Sequence, residues 1–265
     1  MPWRFAVALF AAGLCCGAGN DFTFAIAGDR TGETVAGVWQ SVWQQIGHEK
    51  PDFVLTVGDT IQGGNDATAQ AEWIALRPTW SRWQIPVYFT PGNHDIWSEK
   101  SRRIYEKQTG RPSFYSFDYQ DAHFTILDNS ESMQLRQSQL DFLEADLKAN
   151  RSRALKFVIF HQPFWLIAMM LGNTDVPFHQ MMRKYGVTYV ISGHVHQYLR
   201  MERDGIVYML AGSSGGHLRG HDPVKGFDQG WFFMHLSMKV QGTSVQATVQ
   251  EAGEPFGRGR SFTAH

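Results

Sequence analysis

Five apolar runs in this 265-residue chain end in short clusters of polar, chemically capable side chains. The run from Phe22 closes in Gly28-Asp29, the run from Asp52 in Gly58-Asp59, and the run from Pro86 in Gly92-Asn93-His94-Asp95. A fourth, from Ala154, ends in His161-Gln162-Pro163, and a fifth, from Val187, in Gly193-His194-Val195-His196. Short apolar runs of this kind, bounded by glycine, read as buried strands. A strand holds the residue that follows it rigidly, and glycine lets backbone approach closely. Carboxylates, imidazoles and an amide in these places predict a metal site at a sheet edge. Residues i and i+2 of an extended segment share a face, so His194 and His196 are expected to aim into one site with Val195 packed behind.

Between these runs the pattern changes period. Val35, Val38, Trp39, Val42, Trp43 and Ile46 recur at helical spacing, residues 67–82 read as a helix, and an amphipathic helix is expected from Ser138. Two consecutive runs, FYSFDY and AHFTILDN, read as paired strands, and the chain after Tyr185 is β-rich. Strands alternating with helices mark an α/β fold. The mixture fits two mixed sheets with helices outside better than one parallel sheet. Residues 20–253 are expected to form this domain, and the Gly-rich residues 254–265 a polar mobile tail.

The first 19 residues are read separately. Arg4 precedes an apolar stretch from Phe5 to Cys16 and then small residues, the layout of a signal peptide cleaved near Ala18 or Gly19. The chain is therefore expected to be exported, periplasmic or secreted, and the mature form to lack both cysteines. The apolar segment 155–172 carries Lys156, His161, Gln162 and Pro163, which argues against a membrane span. With a formal net charge of −1 the chain offers no basic field for a nucleic-acid backbone.

Oxygen and nitrogen ligands without thiolates favour Mn, Fe, Zn or Co. The candidates outnumber what one tetrahedral ion needs, and a bridging aspartate suits two ions about 3.5–4 Å apart. The ordered series GD, GD, GNHD, H and GHVH resembles the calcineurin-like metallophosphoesterase superfamily, which includes purple acid phosphatases. The resemblance runs from Asp29 to His196 and implies a four-layer αββα sandwich, two mixed β-sheets flanked by helices, with a binuclear metal centre at the strand C-termini. It implies that Asp59 bridges two divalent or trivalent ions, that Asn93, His161 and His194 hold the second, and that Asp29 and His196 hold the first. His94 would stand beside the metals and protonate the leaving oxygen or stabilise the phosphoryl charge, with Asp95 orienting its ring.

One position departs from the family pattern. The first block ordinarily reads Asp-x-His, but here it is Asp29-Arg30-Thr31. Purple acid phosphatases also lack that histidine and supply a tyrosine three residues after the second-block aspartate, where this chain has Gln62. The first ion is thus expected to be held more weakly, with water or the oxygens of Thr31 and Gln62 completing its shell.

The implied activity is hydrolysis of small phosphate mono- or diesters through a two-metal centre and a metal-bound hydroxide. The alternative is a non-catalytic metal- or ligand-binding module that kept the fold. Arg30 and His217 are candidate substrate contacts, and His221 shares the Gly-rich loop of His217. Gly212-Ser213-Ser214-Gly215-Gly216 opens a loop before more strand, which is not the context of a nucleophile elbow. Taken singly, Asp29 and Asp59 also suit helix caps and Asn93 a turn.

Overall fold

The computed structural model describes residues 21–264. The proposed signal segment lies outside them. The first half of the chain runs β1 (Phe22–Ala27), α1 (Val38–Glu49), β2 (Phe53–Thr56), α2 (Ala69–Ser81), β3 (Val87–Tyr88), α3 (Glu99–Thr109), β4 (Tyr115–Tyr119) and β5 (Ala122–Ile126). The second half runs α4 (Gln137–Ala149), β6 (Leu155–Ile159), α5 (Leu166–Met170), α6 (Pro177–Tyr185), β7 (Tyr189–Ser192), β8 (Tyr198–Arg203), β9 (Ile206–Ala211), β10 (Met234–Gln241), β11 (Ser244–Glu251) and β12 (Ser261–Thr263).

Two six-stranded sheets result, ordered β12-β11-β10-β1-β2-β3 and β4-β5-β6-β7-β9-β8. In the first, β1, β2 and β3 are parallel and β10 pairs antiparallel with β1. In the second, β5, β6, β7 and β9 are parallel and both edge strands antiparallel. The sheets are mixed, as expected.

Side-chain alternation builds the layers. In β1, Phe22, Phe24 and Ile26 face the opposing sheet, while Ala25 and Ala27 face the helices. In β6, Leu155, Phe157 and Ile159 face the first sheet, and Val158 lies on the outer side with Phe160 just beyond the strand. Phenylalanines fill the middle: Phe24 stacks on Phe53 at 5.0 Å, Phe124 stacks on Phe157 at 4.6 Å, and the two pairs meet edge-on. On one outside, Val38, Trp39, Val42, Trp43 and Ile46 of α1 form the buried stripe that their spacing predicts. On the other, α4 contributes Leu143 and Leu147, and α6 contributes Phe178 and Met182. The order helix, sheet, sheet, helix is the expected αββα sandwich. No helix among the described residues is long and apolar enough to cross a membrane.

The differences have local causes. The run from Pro86 forms only a two-residue strand, because the chain turns early to deliver the Gly92-Asn93-His94-Asp95 cluster. Helix α3 escapes the apolar pattern since only Ser101 and Tyr105 are buried on it; the reciprocal Ser98–Ser101 capping box starts it. Helix α6 starts with Pro177 and stops at the left-handed Gly186, a turn-like composition around nine helical residues. The tail expected to be mobile is fastened. Ser261–Thr263 pair with β11, and Arg260 meets Glu251 through two parallel hydrogen bonds of 2.7 Å.

Candidate metal centre

Three strands of the first sheet and two of the second release their functional residues at one edge. Asp29 follows β1, Asp59 follows β2, Asn93 follows β3, His161 follows β6, and His194 and His196 follow β7. Neither aspartate caps a helix, since α1 begins after Gly37 and α2 after Thr68. The ligand-capable atoms fall into two groups that share Asp59: Asp59 with His161 and His194, and Asp29 with Asp59 and His196. Asn93 belongs with the first group, its Oδ1 lying 3.0 Å from both His161 Nε2 and His194 Nδ1.

His194 and His196 therefore come together differently from the expectation. Extended structure stops at Ser192, and both histidines adopt left-handed backbone, with φ of 70° and 62°. They join different groups. Asp59 has φ of 55° as well. Non-glycine residues adopt this region at a cost of roughly 1–3 kcal/mol and concentrate at functional sites. The glycines beside them are dictated by space. A Cβ on Gly193 would lie 2.2 Å from Asp29 Oδ1, and one on Gly92 2.2 Å from Asp59 Oδ1.

Backbone carbonyls set the ring tautomers. His161 Nδ1 meets Val57 O at 2.8 Å, and His196 Nδ1 meets His217 O at 2.7 Å. A carbonyl only accepts, so each Nδ1 carries the proton, and each Nε2 of a neutral ring presents a lone pair. His161 Nε2 then faces Asp59 Oδ2 at 3.2 Å, Asn93 Oδ1 at 3.0 Å and His194 Nδ1 at 3.3 Å. His196 Nε2 faces Asp29 Oδ2 at 3.4 Å. Asp29 Oδ1 is buried with no hydrogen-bond partner. Acceptors converging on acceptors repel one another unless a proton or a cation sits between them. The donor set fits two metal ions.

Protons compete with a cation for these same atoms. Burial pushes the Asp29 carboxyl well above the usual carboxylate range. Burial opposes charge on Asp59 too, but His161 and His94 outweigh it and hold the carboxyl down to about 2. Burial likewise opposes charge on His161, and Asp59 overrides it, raising the imidazole to about 9. His194 is lowered to about 4 by burial and by the neighbouring His161.

His94 stands at the cavity beside these groups. Its backbone N–H donates to Asp59 Oδ1 at 2.9 Å, and its Nδ1 meets Gln62 O at 2.6 Å, leaving Nε2 for the cavity. Asp95 does not orient the ring. Its carboxylate accepts from the backbone N–H groups of Thr60, Ile61 and Gly92, tying the second cluster to the third, and burial raises its pKa to about 7. Thr31 Oγ1 donates to Gln62 Oε1, which brings together the two side chains expected to complete the first ion's shell.

The cavity above the cluster has a volume of about 490 Å³. Asp59, Asn93, His94, His194 and His196 reach it from the strand ends, and Gln62, Glu33, His217 and Arg219 flank them. Arg30 is not among its lining residues: its guanidinium donates to Thr60 O, behind the site. His221 also lies off the lining and stacks on Trp231 at 4.4 Å. Ser213 and Ser214 are fully buried and bonded to backbone carbonyls, so neither serves as a nucleophile. Two contributors escape sequence reading. The Gln62 carbonyl leaves no mark because it is backbone, whereas Arg219 was within reach, two residues past His217 in the same Gly-rich loop.

Residues 35–198 match the calcineurin-like phosphoesterase family. The chain belongs to that family. It is 23% identical over 216 residues to purple acid phosphatase 15 of Arabidopsis thaliana, covering 63% of this chain and 41% of that protein. It is 25% identical to a 3',5'-cyclic-nucleotide phosphodiesterase of Nostoc sp., covering 60% of each. A 3',5'-cyclic adenosine monophosphate phosphodiesterase of Vibrio vulnificus is 26% identical, with 66% of each covered. The calcineurin-like chain thus spans less than two thirds of these relatives. Among solved structures, the purple acid phosphatase PPD1 of yellow lupin (Lupinus luteus) matches with a TM-score of 0.69 at 17% identity, over 92% of this chain and 53% of that one. A dimetal phosphatase from Danio rerio matches with a TM-score of 0.61 at 12% identity, over 91% and 98%. These likenesses carry the fold.

Proposed function

We propose that this chain is an exported, metal-dependent phosphoesterase that hydrolyses small phosphate mono- or diesters at a two-metal centre. One observation carries the reading: two ligand groups share Asp59, and in each a ring nitrogen faces a buried carboxylate oxygen. The phosphatase and phosphodiesterase relatives support it.

Asn93, His161 and His194 would hold one ion, Asp29 and His196 the other, and Asp59 both. The ions would supply charge stabilisation to the phosphoryl group and lower the pKa of a bound water. The protein does the rest. Val57 O and His217 O fix two ligand rings in the tautomer that leaves Nε2 available. Gln62 O does the same for His94, whose Nε2 is then the group that donates to the phosphoryl or leaving oxygen once protonated. The left-handed backbone at Asp59, His194 and His196 holds the constellation in place before substrate arrives. With Thr31 and Gln62 where the resemblance leads one to expect a histidine or a tyrosine, the first ion would be held more weakly than the second.

The test is hydrolysis of aryl phosphate mono- and diesters by protein loaded with Mn, Fe, Zn or Co, with and without chelator. Chelator-sensitive turnover supports the reading; no turnover with any metal overturns it and leaves a binding module.

A further inference from the structure

Arg219 is the only lysine or arginine among the described residues lining the 490 Å³ cavity. It is held there without a counter-ion. No carboxylate of the described residues lies within ion-pair distance of its guanidinium, in contrast to Arg102, Arg136, Arg153, Arg183, Arg200 and Arg260. Its one hydrogen bond from the guanidinium runs from Nη2 to His194 O at 3.3 Å, so the other N–H donors remain available.

The loop that carries Arg219 is anchored to the metal centre. His217 O accepts from His196 Nδ1, and His217 N donates to Gly32 O at 3.2 Å. Arg219 N donates to His217 Nδ1 at 3.0 Å, stabilising the turn at φ of 51° and making Nε2 the donor nitrogen of a neutral His217 ring. One wall of the cavity therefore presents a planar cationic fork and an imidazole N–H, referenced through two short links to ligand residues His194 and His196. Glu33 stands nearby, its carboxylate 3.7 Å from His217 Nδ1, too long for a hydrogen bond.

A phosphate diester bears one negative charge and two non-bridging oxygens. A monoester bears three and, with a second pKa of about 6, a charge near −2 in neutral solution. The third oxygen is what a free guanidinium binds best, through charge-assisted parallel hydrogen bonds that an uncharged esterified oxygen accepts only weakly. We infer that Arg219 is a specificity-determining residue that selects phosphate monoesters over diesters. The inference rests on the phosphoesterase reading and settles a choice which that reading leaves open.

The experiment compares wild type, R219Q and R219K on an aryl phosphate monoester and a bis-aryl diester, using the full metal-loaded protein. Inorganic phosphate and dimethyl phosphate are titrated calorimetrically alongside. Arg219 is exposed, and metal content and melting temperature check each variant's integrity. R219Q is expected to lower the monoester-to-diester ratio of kcat/KM about 10- to 100-fold, mainly through monoester KM, with R219K partly restoring it. It should weaken inorganic phosphate by a similar factor and dimethyl phosphate far less. An unchanged ratio, or equal losses on both esters, overturns the inference. If wild type hydrolyses neither ester, the phosphoesterase reading fails, and the titrations decide alone: selective loss of inorganic phosphate binding upholds Arg219 as a reader of the dianion, and unchanged affinity rejects it.

Discussion

Two of the histidine–aspartate clusters among the described residues invite comparison, and only one of the two has the properties of a reaction centre. At the β4–β5 edge, buried His123 bridges two carboxylates: Nδ1 meets Asp118 at 2.7 Å and Nε2 meets Asp146 at 2.8 Å. Thr125 and Ser116 donate to the remaining capacity of Asp146 at 2.7 and 2.8 Å, and Arg153 pairs with Asp118. Every strong group there has a partner of the right kind. At the strand ends the same residue types crowd into two groups around one shared aspartate, with a buried oxygen left over and an open cavity above. Saturation marks a fastener, and organised dissatisfaction marks a site.

The largest effect that would break this contrast concerns Asp59. Asp59→Asn should strip metal from both positions, measured by elemental analysis, and bring turnover to background. The equivalent change at Asp146 should alter neither. His94→Ala should keep the metal content and lower kcat by roughly 10²–10⁴, the usual worth of a proton-transfer group. Equal metal loss in the Asp59 and His94 variants would show that their roles are misassigned.

At the fastener the expected change is in stability. Asp146→Ala removes one partner of a mostly buried pair and should cost about 2–3 kcal/mol by denaturant titration. Its pH dependence follows from the sign of the shifts. Burial opposes charge on His123, but hydrogen bonds to Asp146 and Asp118 prevail and raise its pKa above the ordinary value. The stability that His123 contributes is therefore complete below about pH 6.5, its unfolded value, and fades as pH rises through the folded one. The difference between wild type and His123→Gln should shrink on going from pH 6 to pH 9.

The smallest effect sharpens the metal centre itself. Thr31→His should tighten the more exchangeable ion, read as a second competitive-chelation midpoint moving by about tenfold, on the scale of a single altered metal contact. Two equally tight ions in the unaltered protein would contradict the asymmetry between the sites.

The chain announced much of this architecture. Alternation in Phe22–Ala27 and Leu155–Ile159 sorts side chains between core and helices before any contact is known, and six ligand candidates were readable because each follows an apolar run. What stayed hidden depends on the third dimension. His194 and His196 would share a face on extended backbone, whereas the turn after Ser192 sends them to separate groups. Asp95 follows His94 in sequence yet holds three backbone amides, while a carbonyl from Gln62, thirty-two positions upstream, aims the ring. Arg30 adjoins a ligand in sequence and points away from the cavity. Adjacency along the chain is a poor guide wherever the backbone leaves regular structure.

The left-handed residues have an evolutionary consequence. Glycine would relax the backbone at positions 59, 194 and 196, so selection for durability alone would erase this centre one substitution at a time. A homologue that has shed its chemistry should betray itself there, trading aspartate and histidine for glycine or asparagine and melting at a higher temperature for having done so.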